Sequence, residues 1–228
     1  MKKSLPITAV ALLLLLFSSC EKKNPLLDGV EVVLQKYIDL ELIESDTVQI
    51  DNMQFFFPAN NHEEGTYYII SDNVLAPAEL SNGISIYLDE NGVRGTITDN
   101  RLIIGGNSAN DAYQQLRDNL LPLKIQLKEL TLNYEAERKN KAEPFPSERI
   151  VFWEGQFKEI FDQQIYLWEK YFAENLWHPL GEDVFLYDFD YETVLKEEPD
   201  VIKRILSYAE DTFLSRPEIF EILLISEQ

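Results

Sequence analysis

Residues 84–104 read ISIYLDENGVRGTITDNRLII, and this segment decides the fold of the N-terminal half of the chain. Apolar and polar residues alternate along it with the period of two that is typical of half-buried strands. Asn91-Gly92 interrupts the alternation and favours a type I′ hairpin turn, in which both central residues need positive φ. Asp99-Asn100 interrupts it again and favours a second tight turn. The segment therefore predicts a three-stranded antiparallel meander.

The two turns also predict which residues lie opposite each other. The expected cross-strand pairs are Asp89 with Arg94, Leu88 with Gly95, Ile86 with Ile97, Leu102 with Ile97 and Ile104 with Gly95. One face of the meander is then apolar on all three strands, and we expect the helical C-terminal half to pack on it.

A lead helix and two strands are expected upstream of the meander. Apolar residues recur three or four positions apart from Leu26 to Ile38, which predicts a helix over this segment. Residues 47–57 are rich in β-branched and aromatic side chains and predict one strand that ends at Pro58. Residues 67–70 have the same composition and predict a second strand.

Two long amphipathic helices are expected downstream, because apolar residues recur every three or four positions over residues 113–134 and again over residues 153–176. Pro122 lies inside the first of these helices and predicts a kink or a short break. The Pro-rich residues 140–148 separate the two helices, which we expect to form an antiparallel pair.

These patterns predict an α+β fold: a small antiparallel β-meander with a lead helix, followed by an α-helical C-terminal half containing two long amphipathic helices. Pro199 and Pro217 are each expected in the first turn of a further helix. We expect residues 26–139 to form the α+β region with the first long helix. Residues 149–228 should form a helical region that packs on it in one compact unit.

The charge balance limits the class of partner. The chain has 228 residues, with 20 basic and 40 acidic side chains and a formal net charge of -20 at pH 7. Nucleic acid is disfavoured, because binding it needs clustered Lys and Arg, and anionic lipid surfaces repel such a chain. A cationic protein or ligand is favoured electrostatically. The same acidity would also keep an extracytoplasmic protein soluble without any partner.

Asp188 and Asp190 are the candidate catalytic residues. In an extended segment they would share one face, where two carboxylates could hold a cation or act as an acid/base pair. The alternative is that Asp190 is the N-cap of a short helix over residues 191–196, with Asp188 in the preceding turn. Aromatic residues are enriched after residue 141, as in sites that cleave glycans, but most of them fall on the apolar stripe of a predicted helix.

No metal or cofactor site is predicted. Residues 89–92 carry the acidic groups of a calcium loop without its ligand spacing, and the hairpin turn accounts for them. Residues 105–108 join a strand to a helix start, where an anion can bind, but a turn and an N-cap account for them. The two histidines, His62 and His178, do not form a ligand cluster with the usual spacing.

The first 20 residues, MKKSLPITAVALLLLLFSSC, have the character of a secretory leader. Lys2 and Lys3 precede an apolar run that is too short to cross a membrane but fits the hydrophobic region of a signal peptide. Small residues then lead to Cys20, the one cysteine of the chain. This end of the leader resembles the lipobox of bacterial lipoproteins.

The resemblance covers the leader alone and implies a lipid anchor. Residues 1–19 would be a signal peptide removed before Cys20, which would carry a diacylglyceryl group with palmitate-like acyl chains. Two or more such chains anchor a protein stably. Residues 20–25 would form a short tether. The expected location is a membrane of a bacterial cell envelope, the outer membrane first, with periplasmic and surface exposure both open.

Two functions remain in view. The first is a non-enzymatic, lipid-anchored extracytoplasmic binding or accessory protein with an acidic surface. The second is a carboxylate-dependent hydrolase, with glycans as a substrate class. Two carboxylates that converge in a concave site with perturbed pKa values would favour the hydrolase. An exposed acidic or aromatic patch without such a pair would favour the binding protein.

Overall fold

The computed structural model describes residues 25–38, 41–140 and 146–226, and it confirms the α+β class. Strands fill the N-terminal half and helices the C-terminal half. The described strands are β1 (Glu31–Ile38), β2 (Glu41–Gln49), β3 (Gln54–Phe57), β4 (Gly65–Ile70), β5 (Ile84–Leu88), β6 (Val93–Thr98) and β7 (Arg101–Gly105). They form two antiparallel sheets, a four-stranded one in the order β2-β1-β4-β5 and a three-stranded one in the order β3-β6-β7.

Two long helices and several short ones complete the fold. The described helices are α1 (Ala78–Asn82), α2 (Ser108–Asn140), α3 (Ser147–Asn175), α4 (Pro179–Asp183), α5 (Tyr191–Glu197), α6 (Pro199–Leu206), α7 (Asp211–Leu214) and α8 (Pro217–Ser226). A π-helical turn, Val184–Asp188, follows α4 directly. Pro199 and Pro217 open α6 and α8, as predicted. Among the described helices, none combines the length and the apolar character that a membrane span needs.

The predicted hairpin at Asn91-Gly92 is wrong. Gly92 N donates to Asp89 O at 3.0 Å, and Asp89 Oδ1 accepts a hydrogen bond from Asn91 N at 2.9 Å. These bonds leave only Gly92 at positive φ, +73°, whereas a type I′ turn needs Asn91 there as well. The turn is therefore a corner: β5 pairs with β4 in one sheet, and β6 pairs with β3 and β7 in the other.

The corner overturns the three residue pairs predicted across it, Asp89 with Arg94, Leu88 with Gly95 and Ile86 with Ile97. Gly95 lies opposite Phe55 instead. The Phe55 ring occupies the space of a side chain at Gly95, with ring carbons 2.1 to 2.7 Å from where a Cβ would stand.

The second turn of the meander is confirmed with its register. Asp99 and Asn100 have φ of +50° and +59°, the conformation of a type I′ turn. The turn joins β6 to β7. Ile97 lies opposite Leu102 and Gly95 lies opposite Ile104, as predicted.

The predicted lead helix is also wrong, because its segment forms β1. Val30, Val32 and Leu34 are buried at alternate positions, which is the period of a strand, and their residue types favour strands. Gly29 has a φ of +83° and starts the strand with a bend. Apolar residues in this segment recur both three or four positions apart, as in a helix, and two positions apart at Val30, Val32 and Leu34, as in a strand. The pairing of β1 with β2 and β4 decides for the strand.

The single strand predicted over residues 47–57 is divided between the two sheets. β2 ends at Gln49, and Asn52 and Met53 adopt positive φ before β3 begins. The strand predicted over residues 67–70 is confirmed as part of β4.

The two long helices are confirmed as an antiparallel pair. The ring of Tyr113 lies 5.9 Å from that of Tyr171 at one end of the pair, and the ring of Tyr134 lies 5.8 Å from that of Trp153 at the other. The helix α2 continues through Pro122 without the short break that was one of two expectations.

Hydrogen bonds among Arg149, Glu137 and Trp153 join α2 to α3 at the far end of the helix pair, and we call these three residues the polar clasp. Arg149 donates through two nitrogens to the carboxylate of Glu137, and Trp153 Nε1 donates to the same carboxylate at 3.0 Å. From residue 124 to residue 140, α2 has no fully buried side chain. The distal half of α2 therefore packs on α3 and takes no part in the main core.

Two buried amide side chains on α2 join the helix to both sheets. Asn110 Oδ1 accepts a hydrogen bond from Tyr87 N at 2.8 Å, and Asn110 Nδ2 donates to Tyr87 O at 2.7 Å. One turn later, Gln114 Oε1 accepts from Ile104 N at 3.0 Å. Tyr87 lies on β5 and Ile104 on β7, which are edge strands. The start of α2 thus satisfies backbone groups at one edge of each sheet.

We expect Asn110→Ala to lower the free energy of unfolding by about 1–3 kcal/mol, because Tyr87 N loses its acceptor in a buried place. Tyr87 O keeps a hydrogen bond from Asn107 Nδ2 at 2.9 Å. Urea unfolding of the full chain measures the change. Asn119→Ala, at an exposed position of the same helix, is the control and should change stability by less than about 0.5 kcal/mol. An Asn110→Ala variant as stable as the wild type would contradict this role.

Candidate functional site

The outer face of the four-stranded sheet is polar at its β4–β5 end. Tyr68 lies directly opposite Ser85, and Thr66 lies opposite Tyr87. Successive side chains of a strand point to opposite faces, so the residues between them point inward. Those inward residues are buried in the apolar core: Tyr67, Ile69, Ile84, Ile86 and Leu88. The elements α4 and the π-helical turn pack over the polar outer face.

The start of α4 follows from local chemistry. Pro179 occupies the first turn, where its fixed φ suits a helix. His178 Nδ1 accepts a hydrogen bond from Leu180 N at 3.1 Å and caps the helix. Gly181 permits close packing on the end of α3, because a Cβ there would lie 2.0 Å from Asn175 O. The sequence His-Pro-Leu-Gly therefore turns the chain sharply back from α3 onto the sheet.

Two carboxyl groups bound the π-helical turn, Asp183 just before it and Asp188 at its end. Phe189 N donates to Val184 O at 2.9 Å, five residues back along the chain. Because a π turn closes over five residues instead of the four of an α-helix, residues five apart lie on one side of it. Asp183 and Asp188 are five apart, and both are half-buried. π turns of this kind occur frequently at functional sites.

Three tyrosines form a connected aromatic surface beside these carboxyls. The ring centroids of Tyr37 and Tyr68 lie 6.3 Å apart with an interplanar angle of 79°, and those of Tyr68 and Tyr187 lie 5.6 Å apart at 76°. Tyr37 is 44% exposed and Tyr187 is 56% exposed. We call these three residues the tyrosine face. Its middle ring, on β4, stands nearly perpendicular to the ring on either side.

Polar atoms beneath the tyrosine face are incompletely paired within the protein. Tyr68 Oη, Ser85 Oγ and Asp188 Oδ2 are buried and make no hydrogen bond of good geometry, although the Ser85 hydroxyl lies near both Tyr68 and Asp188. Leaving a buried polar group unpaired costs about 1–3 kcal/mol. Native proteins contain few such groups, and each calls for an explanation such as a functional role or bound water. Three in one place mark this region as the candidate site.

Burial favours the protonated form of both carboxyls. Burial raises the pKa of Asp183, the charge of Asp188 adds to the rise, and a hydrogen bond with Thr66 and the charge of Arg216 oppose it. Burial likewise raises the pKa of Asp188, against the hydroxyls of Ser85 and Tyr113 and the charge of Arg117. A protonated carboxyl can donate a proton, which is the requirement for a general acid.

The same environment keeps the surrounding tyrosines protonated. Burial raises the pKa of Tyr68, and the charges of Asp183 and Asp188 add to the rise. Burial also raises the pKa of Tyr113 and of Tyr171, and Asp188 contributes in both cases. The phenol groups around the carboxyls therefore remain neutral at physiological pH.

The structure places the two candidate residues from the sequence in different roles. Asp190 is exposed and caps α5, with Oδ1 accepting from Thr193 N at 3.2 Å; this confirms the N-cap alternative. Asp188 faces Ser85 and Tyr113, and its charge acts on Asp183. The sequence indicated Asp188 and missed Asp183, since a spacing of five aligns two residues only in a π turn.

The other sequence candidates have structural roles. Residues 89–92, which resembled part of a calcium loop, form the turn at the corner between β5 and β6. At residues 105–108 a turn leads into α2, where Asn107 Oδ1 accepts from Asn110 N at 2.9 Å. Five aromatic residues from the end of α3, the π-helical turn and the position after it pack on one another: Trp168, Tyr171, Phe172, Phe185 and Phe189. Within the described residues, no group of three or more His, Cys, Asp or Glu side chains is placed to hold a metal ion.

His62 forms a polar cluster that the sequence did not indicate. Its ring lies between two carboxylates of β2, with Nδ1 beside Glu44 and Nε2 at 3.1 Å from Asp46 Oδ2. Tyr67 Oη donates to Glu44 Oε2 at 3.0 Å. Burial alone would raise the pKa of Glu44, but the hydrogen bonds from His62 and Tyr67 lower it overall. The cluster ties the loop before β4 to the edge strand, on the opposite side of the sheet from the tyrosine face.

A groove of about 630 Å³ lies between α2 and α3 near Pro122, Asp162 and Tyr166. It is separate from the tyrosine face and from the carboxyls beneath it.

Comparisons of the chain with protein-family models, with curated proteins and with solved structures find no match.

We expect Asp188→Asn to raise stability at pH 7 and to weaken its dependence on pH. A raised folded pKa means that the folded state retains a proton that the unfolded state releases. Stability therefore falls as the pH rises from the unfolded pKa, near 3.8, through the raised folded value. The amide removes this loss. Urea unfolding at pH 5 and at pH 7 measures both effects.

Asp190→Asn is the matched control, because Asn caps a helix as well as Asp does, and it should leave both quantities unchanged. Equal destabilisation of Asp188→Asn at the two pH values would contradict a protonated carboxyl.

Proposed function

We propose that this chain is a non-enzymatic, lipid-anchored extracytoplasmic protein of a bacterial cell envelope, and that it binds a cationic protein or ligand. The leader supports the anchor: residues 1–20 have the charge, length and final cysteine of a lipoprotein signal, and they lie outside the described residues. The outer membrane is the proposed location. The folded body supports the binding role.

The observation that carries the binding role is the excess of carboxylates over the cations available to them. The chain has 40 acidic and 20 basic residues. Many of the basic side chains already pair with a carboxylate of the chain: Lys36, Arg101, Arg117, Arg149, Lys158, Lys203, Arg204 and Arg216. The basic side chains are therefore too few to pair with all of the carboxylates. An acidic surface attracts cations and speeds their association.

We expect Cys20→Ala to release the protein from the membrane, because it removes the site of acylation on which stable anchoring depends. Fractionation of cells that produce the full chain, with detection in membrane and soluble fractions, measures the release. Ser18→Ala keeps the cysteine and a small residue before it, and it should remain in the membrane fraction. If the Cys20→Ala protein stays there as well, the chain is not anchored through this residue.

A second candidate function, a carboxylate-dependent hydrolase with glycan substrates, is favoured by one specific observation. Asp183 and Asp188 lie on one side of the π-helical turn, and burial raises the pKa of each. Glycoside hydrolysis uses two carboxyl groups, one of them protonated at working pH. In this mechanism one aspartic acid would protonate the leaving oxygen, and the other would act once ionised as base or nucleophile.

The hydrolase is tested with the full chain and a panel of neutral oligosaccharides, with reducing ends as the measured product. If the chain is this enzyme, Asp183→Asn and Asp188→Asn each lower kcat/KM by about 10²–10⁴-fold, the usual contribution of a general acid or base. Asp190→Asn, which keeps the cap of α5, should retain full activity. A wild-type chain without turnover on the panel decides against hydrolysis of these substrates. An Asp188→Asn variant with undiminished turnover decides against a catalytic role of Asp188.

A further inference from the structure

We propose that the end of the folded body next to the lipid tether docks on the membrane itself, with Val74 and Leu75 between the lipid headgroups. The occupant of this surface is a lipid layer with zwitterionic headgroups. This inference rests on the proposed function, because the anchor on Cys20 brings this end of the body to the membrane. It adds which surface of the body faces the lipid.

Two exposed apolar side chains lie side by side in the loop of residues 72–77, between β4 and α1. Val74 is 95% exposed and Leu75 is 44% exposed. Asn73 fixes this loop: its Oδ1 accepts a hydrogen bond from Leu75 N at 2.9 Å, and its backbone oxygen accepts from Ala76 N at 2.9 Å. Ala76 itself is buried. The loop is therefore held on the body while its apolar side chains face outward.

The loop of residues 72–77 lies where the described chain begins. The strands β1 and β4 are antiparallel, with Val33 opposite Ile70, so the end of β4 lies beside the start of β1. Ser71 Oγ donates to Glu31 O at 2.6 Å and joins the two. Leu26, another exposed apolar residue, precedes β1 by a few positions. Apolar side chains are thus exposed at the end of the four-stranded sheet from which the tether leaves.

The length of the tether limits how far this end can lie from the membrane. The chain from Cys20 to Pro25 spans at most about 18 Å, because one residue extends a chain by about 3.6 Å at most. The strand β1 leads away from the tether over eight residues, a length of about 23 Å at about 3.3 Å for each step. The acylated cysteine therefore keeps the Val74 end of the sheet nearer to the lipid than the opposite end.

The opposite end of the sheet offers the competing orientation. Ile38, Leu42 and Ile43 are each about half exposed at the tip of the β1–β2 hairpin. An upright body with this tip in the lipid would hold the start of β1 about 23 Å above it, the length of the strand. The short tether opposes that arrangement, whereas it favours contact through the loop of residues 72–77.

The charges at the docking end determine the class of lipid. Asp28, Asp51 and Asp72 are exposed close to the start of β1, and carboxylates are repelled by anionic headgroups. Lys22 and Lys23 in the tether oppose this repulsion only in part. Burial of apolar area at the interface stabilises docking without any charge on the lipid. Zwitterionic headgroups therefore fit this end better than anionic ones.

The experiment attaches an environment-sensitive fluorophore to one introduced cysteine. The diacylglyceryl group occupies the sulfur of Cys20, which is the one cysteine of the chain. The full chain with Val74→Cys is labelled and reconstituted in phosphatidylcholine vesicles without other protein. We expect its emission to shift to shorter wavelength and to be quenched by spin labels on the acyl chains, because the fluorophore leaves water. Ile38→Cys is the matched control, an apolar position 54% exposed at the other end of the sheet, and should show neither effect.

Further variants test the apolar contact and the choice of lipid. Leu75→Asp should return the emission at position 74 to its value without lipid, because a charge beside the fluorophore opposes insertion. Ile43→Asp places the same charge at the hairpin tip and should leave that emission unchanged. Phosphatidylglycerol added to the vesicles should weaken the quenching at position 74; stronger quenching would overturn the zwitterionic assignment. Unchanged unfolding curves exclude a loss of fold as the cause.

The outcomes separate this inference from the function on which it rests. If Cys20 of the unfolded wild-type chain reacts with a maleimide, it carries no lipid, and the anchor and the docking surface fail together. If Cys20 is blocked but position 74 emits as it does in water, the anchor stands and the docking surface is overturned. Equal effects at positions 74 and 38 would overturn the orientation, and an effect at position 38 alone would assign the lipid contact to the hairpin tip.

Discussion

The fold depends on two amide side chains, Asn110 and Gln114, one turn apart near the start of α2. Each accepts a backbone N–H from an edge strand, one in the four-stranded sheet and one in the three-stranded sheet. An unpaired strand edge that is buried would cost free energy for every unmatched group. The Asn110 amide bonds the edge of β5 that a hairpin with β6 would otherwise pair, and the Gln114 amide bonds the edge of β7. The two sheets can therefore separate at the corner while the helical half stays attached to both.

This attachment determines where the candidate site forms. With α2 fixed at the sheet edge, α3 runs antiparallel to it and returns the chain at His178 to the outer face of β4 and β5. The π-helical turn then packs on the outer face of β4 and β5, which is polar because polar and apolar side chains alternate along these strands. Polar groups meet there from β4, β5, α2 and the turn itself. The incompletely paired oxygens and the carboxyls with raised pKa result from this meeting of four elements, and the free energy they cost is offset by the apolar core on the inner side of the same strands.

The sequence predicted those features that depend on neighbours along the chain. The tight turn at Asp99-Asn100, the register of β6 with β7, and both long helices follow from local periodicity and turn chemistry. Features set by distant pairing were missed. Asn91-Gly92 could close a hairpin or turn a corner, and the Asx bond from Asp89 together with strand β3 decides for the corner. The site could be predicted only in part: Asp188 stood out, but Tyr68 and Ser85 meet through a register that no local pattern reveals.

The polar clasp at the far end of the helix pair has a mechanical consequence. Beyond residue 123, α2 has no fully buried side chain, and α3 is its packing partner. Opening this end breaks the bonds among Arg149, Glu137 and Trp153 and exposes little of the main core. The molecule therefore contains two cooperative units of unequal strength. We therefore expect amide hydrogens in the distal turns to exchange through local opening of the clasp, and those of β4 and β5 to exchange only through unfolding of the whole protein.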